Sequence, residues 1–142
     1  MTVAIRDAQL ADAPRLTELI IELGHPIEEA QVRANLELLS ERSPLPLVAT
    51  TNGEVVAMCG LSAMVTVHRD APVGRVSVMI VAEAHRGRGI GALLIAEAEK
   101  RLAALGCKIL EVTSNVRRER AHQFYEKLGY ERTSYRFMKR LA

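Results

Sequence analysis

Arg86-Gly87-Arg88-Gly89-Ile90-Gly91-Ala92 follows an apolar segment, Val76-Ser77-Val78-Met79-Ile80-Val81, and opens a helical pattern that runs to Gly106. A strand, a glycine-rich loop and a helix start, in that order, make a site for phosphate. Glycines let the backbone approach a ligand without Cβ clashes. The first N–H groups of a helix have no intrahelical partner, and the helix dipole adds positive potential there. Arg86 and Arg88 add two permanent charges, which suits a pyrophosphate.

Three phosphate motifs compete for this stretch. Gly87-x-Gly89-x-x-Ala92 reads as a dinucleotide fingerprint, with Glu111 about 20 residues on as the ribose-binding acid. In that motif the first glycine follows the strand directly, whereas here Ala82-Glu83-Ala84-His85-Arg86 intervene. Too few elements follow for a full dinucleotide-binding sheet. A P-loop is excluded, because no Gly-Lys-Ser/Thr follows. The third pattern, Arg/Gln-x-x-Gly-x-Gly/Ala, is matched by Arg86, Gly89 and Gly91, and it resembles the acyl-CoA pyrophosphate loop of the GNAT superfamily of N-acetyltransferases. A second block begins at Asn115 and carries Arg118, Ala121, Phe124, Tyr125, Gly129 and Tyr130. Its pattern, Arg-x-x-Ala-x-x-Phe-Tyr-x-x-x-Gly-Phe/Tyr, resembles the other hallmark of that superfamily. The resemblance spans residues 73–130 and thins before them.

Composition sets the outer bounds. A chain of 142 residues suits one domain over 1–142, with a full core. Its 49% hydrophobic and 25% charged residues are those of a globular protein. A net charge of +2, with no basic stripe interleaved with aromatics, argues against a nucleic-acid partner. Cys59 and Cys107 lie in apolar or strand-like segments without metal-ligand spacing and read as buried, reduced thiols. The start, Met1-Thr2-Val3-Ala4-Ile5-Arg6-Asp7, is too short and polar for a signal peptide, and no apolar run approaches ~18 residues. A cytoplasmic protein with no membrane partner is expected.

Along the chain, Val3–Arg6 reads as a strand. Asp12 is placed to cap a helix with Pro14 in its first turn, an apolar stripe of Leu16, Leu19, Ile20 and Leu23, and Gly24 at its end. A second helix carries Ile27, Val32, Leu36 and Leu39, and Ser43-Pro44-Leu45-Pro46 breaks the chain. Asn52-Gly53 between Leu47–Thr51 and Glu54–Met58 signals a hairpin, the second strand running through Leu61 towards Val67. A loop over 68–72 leads into the strand Arg75–Val81. A helix from Gly89 shows Ile90, Leu94, Ala98, Leu102 and Leu105 on one face. Lys108–Thr113 reads as a strand, Arg117–Leu128 as a helix closed by Gly129, and Tyr130–Arg140 as one strand or a bent pair. The fold class is α/β, a mixed sheet with helices on both faces. The resemblance implies the GNAT fold and a mostly antiparallel sheet.

Alternation along the strand before the loop puts Arg75, Ser77, Met79 and Val81 on one face and Val76, Val78 and Ile80 on the other. The resemblance implies that the backbone of Met79, Ile80 and Val81 pairs with the pantetheine arm of acetyl-CoA. It implies too that the Met79 N–H faces the thioester carbonyl, as an oxyanion donor would. The diphosphate falls to Arg86, Gly87, Arg88, Gly89, Ile90, Gly91 and Ala92. Arg118, Ala121 and Tyr125 lie at i, i+3 and i+7 and share a helix face. By the resemblance Tyr125 protonates the leaving thiolate and Arg118 approaches the cofactor. A tyrosine hydroxyl, with a reference pKa near ~10, can donate at neutral pH.

The general base is not legible. Many GNAT enzymes carry a glutamate on this strand, but no carboxylate occurs between Val73 and Ala82. A water chain, His68, Asp70, Glu28 or Glu29 are the alternatives. His25, His85 and His122 read as loop or helix-surface residues, and no metal site is expected. The expected activity is acetyl transfer from acetyl-CoA to a primary amine by direct attack in a ternary complex. There is no nucleophile motif for an acyl-enzyme. The alternative is a non-catalytic acyl-CoA-binding or regulatory module on the same fold. Segments 24–43 and 67–73 are expected to border the acceptor, a small molecule or peptide amine. The resemblance makes a homodimer the default assembly.

Overall fold

The structure is a computed structural model that describes residues 2–42 and 44–142. Met1 of the N-terminal reading and Ser43 of the expected break lie outside the described residues. The chain divides into two compact units, Met1–Glu111 and Val112–Ala142, each taken by itself.

The first unit runs β1 (Val3–Asp7), α1 (Ala13–Leu23), α2 (Glu29–Ser40), β2 (Leu47–Thr51), β3 (Glu54–Met64), β4 (Val73–Val81) and α3 (Ile90–Ala104). β5 (Ile109–Val112) completes a five-stranded sheet in the order β1-β2-β3-β4-β5. The pairs β1–β2, β2–β3 and β3–β4 are antiparallel. The expected mixed α/β architecture is what forms.

Each connection has a local cause. Asn52 and Gly53 turn the β2–β3 hairpin with φ of 52° and 78°, the pair of positive values that a type I′ turn demands. Gly24 closes α1 in the left-handed region at φ 107°. Asp12 does not cap α1 with its side chain as expected. Its carboxylate instead accepts both guanidinium nitrogens of Arg6, at 2.8 and 2.9 Å, and the Gln9 N–H at 2.8 Å. α2 starts at Glu29, later than the sequence suggests, because Glu28 is extended at φ −98° and ψ 150°.

The sheet is covered on both faces. α1 and α2 pack Ala13, Leu16, Leu19, Val32 and Leu36 against Val48, Val55, Met58 and Ile80. Truncating a fully buried leucine such as Leu16 or Leu19 to alanine would cost about 2–5 kcal/mol. On the opposite face Gly74 of β4 backs onto α3, where an added Cβ would lie 3.0 Å from a Leu102 methyl.

β4 is not the straight strand that the alternation suggests. Gly60 pairs with Val78 and Leu61 with Val76, so Ser77 is an extra residue, a β-bulge. The bulge reverses the side-chain parity. Val76 shares the α3 side with Gly74, whereas Val78 and Ile80 pack on the α1–α2 side. Ser77 and Val78, consecutive residues, therefore face the same way, and Met79 faces the other.

In the second unit α4 (Glu119–Lys127) begins after Arg118, which stands at the N-cap with φ −92° and ψ 67°. Arg118 is thus outside the helix whose face it was expected to share with Ala121 and Tyr125. The strand expected over Tyr130–Arg140 does not form: residues 130–142 carry neither helix nor strand. Tyr135, Phe137, Met138 and Leu141 alternate loosely but stand exposed. Apolar alternation alone does not make a strand; hydrogen bonds to a neighbouring strand must complete it.

Candidate active site

β4 delivers the chain to the loop. After Val81 a 3₁₀ turn, Glu83–His85, spaces the strand from the glycines. Gly87 and Gly89 both take positive φ, 77° and 81°, and Gly89 is the N-cap of α3. A Cβ built on either would meet no protein atom within 4 Å. The loop thus presents bare backbone to open space at the start of a 15-residue helix. Backbone donors and helix dipole act together at such a point, so the residues present fit a diphosphate. Ile90 and Gly91 are buried as the helix begins, which anchors the loop from below.

Arg86 is not turned outward as an isolated charge. Its Nε donates to the Val81 carbonyl at 3.0 Å, and its Nη2 lies 3.8 Å from Glu22 Oε1. Glu22 also accepts the Glu83 N–H at 2.7 Å. One carboxylate at the end of α1 thereby holds both the 3₁₀ turn and the first arginine of the loop. An ion pair this exposed is worth only about 0–1 kcal/mol, so a diphosphate could take over Arg86 at small cost. Sequence reasoning missed Glu22, which lies 61 residues from Glu83 with no local signal of the contact. Arg88 is exposed on the loop.

β4 has nine residues and β5 four. The contacts that locate β5 on β4 lie near its beginning: Gly74 against the Ile109 carbonyl, and Arg75 4.0 Å from Glu111. A strand so short cannot cover the whole edge of β4, and Met79–Val81 form the far end. Across β3, Cys59 stands opposite Met79 in register. Cys59 is fully buried, and burial pushes its thiol up to about 12. Cys107, expected to be buried like Cys59, is only half-buried.

Beside β4, on the α1–α2 side, opens a cleft of about 150 Å³. Its walls include Ile20 of α1, Leu36 and Leu39 of α2, and Met58 of β3. Ile27, from the link between the helices, and Val78 complete the apolar lining. Its polar side chains are Asn35 and Ser77. Part of the expected acceptor border, segment 24–43, therefore does line a cleft.

None of the alternative bases lines it. Asp70 pairs with Lys108 at 2.7 Å, Glu29 with Arg33 at 3.3 Å, and Glu28 precedes α2. His68 is exposed in the loop after β3. Among the described residues no group of three His, Cys, Asp or Glu side chains is arranged to hold a metal ion. No helix among them is long and apolar enough to cross a membrane.

In the second unit Tyr125 is half-buried on α4. Its ring meets Phe124 and Tyr130 edge-on, with centroids 5.1 and 5.8 Å apart. The Tyr130 N–H donates to the Tyr125 carbonyl at 3.0 Å, just past Gly129 at φ 94°. Arg132 forks onto Glu126 at 2.9 and 3.2 Å and holds its carboxyl below the ordinary range. His122 contacts the Asn115 carbonyl through Nε2 at 2.9 Å.

Comparison with known proteins is consistent with this geometry. The model of the Acetyltransferase (GNAT) family matches residues 7–130. An aminoalkylphosphonate N-acetyltransferase of Salmonella typhimurium is 35% identical over 94 residues, 66% of this chain and 61% of the relative. The chain thus spans less than two thirds of that relative. A transcriptional regulator from Bacillus halodurans shares the fold with a TM-score of 0.90 at 20% identity, over 99% of this chain and 100% of that one. An aminoglycoside N-acetyltransferase in complex with CoA gives 0.85 at 20% identity, over 98% and 94%. At such identities the two structures speak for the fold alone.

Proposed function

The chain belongs to the acetyltransferase (GNAT) family, and on that premise we propose that it transfers an acetyl group from acetyl-CoA to a primary amine by direct attack. The observation that carries this reading is the bare loop at Gly87 and Gly89, set between β4 and the N-terminus of α3. Its backbone N–H groups, with Arg86 and Arg88, bind the diphosphate. Ile90, Gly91 and Ala92 continue the cradle into the first turn of α3. Acetyl-CoA supplies an activated thioester.

Met79, Ile80 and Val81 offer backbone groups to the pantetheine arm at the part of β4 that β5 is too short to cover. The Met79 N–H donates to the thioester oxygen, where negative charge grows as the amine attacks. The amine nitrogen forms a bond to the carbonyl carbon, the carbon–sulfur bond breaks, and the thiolate leaves. Tyr125 gives that thiolate a proton, and Arg118 assists cofactor binding. The amine's own proton passes to water, since β4 carries no carboxylate, and water returns a proton to Tyr125. Cys59, a neutral thiol beside Met79, takes no acyl group. The Salmonella relative is named for a phosphonate-bearing amine, and that name by itself does not fix the acceptor of this chain.

Thermal unfolding with and without CoA tests the cofactor reading. CoA at about 100 times its dissociation constant is expected to add roughly 2.7 kcal/mol of stability. Stabilisation by NADH and none by CoA would return the loop to the dinucleotide reading.

A further inference from the structure

The cleft beside β4 bears on which amine is acetylated. Ser77 and Val78 both line it, because the bulge turns two consecutive residues to one side. Met79 is the next residue, and adjacent Cα atoms are ~3.8 Å apart. The cleft therefore reaches to within one residue along β4 of the Met79 N–H that would hold the carbonyl. Among the described residues no charged side chain lines it, and its polar side chains are Asn35 and Ser77. An acidic or cationic group placed there would lose its hydration with no countercharge to replace it.

We infer that this cleft binds an uncharged apolar group of the acceptor, of the size of a phenyl ring or a short alkyl chain, with the amine directed at β4. The inference rests on the acetyl-transfer reading above. Its size follows from the volume: an apolar cavity of about 150 Å³ accommodates a molecule such as benzene. A phosphonate, an aminoglycoside ring or a polyamine does not suit the lining. The chain then differs in acceptor from a relative named for aminoalkylphosphonates.

The test is kcat/KM with acetyl-CoA across the n-alkylamines from ethylamine to hexylamine, which share one basicity. 2-Aminoethylphosphonate and spermidine serve as charged comparators, with rates corrected for the fraction of free amine. Each methylene is expected to raise kcat/KM about fourfold until the cleft fills, and both charged amines should fall below ethylamine. Ile27→Glu places a charge at a half-buried position outside the helices. It should flatten the chain-length dependence while CoA still stabilises the variant. A flat series, or preference for a charged amine, would overturn the inference while leaving acetyl transfer standing. If no amine of either kind is acetylated, the inference falls too, and the CoA shift then shows whether the cofactor reading falls with it.

Discussion

Cys59 stands directly across from Met79 in the β3–β4 register, yet its thiol is poorly able to react. Its side chain is fully buried, and burial pushes the thiol up to about 12. At pH 8 the thiolate fraction is then on the order of one in ten thousand, and the thiolate is the nucleophile. With a colorimetric disulfide reagent at pH 8, Cys107, half-buried, should react first. Cys59 should react only on unfolding. Fast reaction of both thiols in the folded protein would reopen an acyl-cysteine route.

Gly89 and Gly106 flank α3 at φ 81° and 93°. A side chain in that region costs roughly 1–2 kcal/mol at either position. Gly89→Val and Gly106→Val are therefore expected to lower thermal stability similarly without ligand. Only Gly89→Val should lose the stabilisation by CoA, because only it fills the approach to the loop. Equal retention of the CoA shift in both variants would remove the diphosphate from the loop.

Much of this was legible in the chain, and the misses have physical reasons. Asn52-Gly53 announced its turn because positive φ at two neighbouring positions selects asparagine and glycine, and Gly87-x-Gly89 announced a backbone open to close approach. The bulge at Ser77 left no such mark. It depends on Gly60 across the sheet, where an added Cβ would lie 2.6 Å from the Ser77 Oγ and 3.1 Å from a Val78 methyl. Val-Ser-Val-Met-Ile-Val reads as unbroken alternation until that partner is known. Glu22 was equally silent, since its contacts to the loop join residues far apart in sequence. At the C-terminal end the opposite happened, and an apolar pattern promised a strand that residues 130–142 do not form.

Tyr125→Phe keeps the ring that meets Phe124 and Tyr130 and removes only the hydroxyl. If the hydroxyl protonates the thiolate, kcat should fall by roughly one to three decades, within or just below the scale of acid–base catalysis. Stabilisation by CoA should stay within about 0.5 kcal/mol of the parent's. Unchanged turnover, with chemistry rate-limiting, would leave Tyr125 as an aromatic packing residue.

Asp12 ties β1 to the start of α1 through Arg6, and the guanidinium holds its carboxyl below the ordinary value near 3.8. Asp12→Asn should cost about 1.5–3 kcal/mol at pH 7, the range for hydrogen bonds to charged groups. A carboxylate with a lowered folded pKa stabilises above its unfolded value and loses that contribution as pH falls through the folded one. The gap between parent and variant, measured by urea unfolding, should thus be constant above about pH 5 and shrink below pH 4. A gap that does not change between pH 7 and pH 3 would show that the pair contributes nothing through charge.

Direct attack is tested most closely by following free thiol from acetyl-CoA with and without a primary amine, beginning in the first turnover. Thiol release is expected only when amine is present, in step with acetylated amine and without an initial burst. A burst equal to the enzyme concentration in the absence of amine, with acetyl retained on the protein, would contradict it.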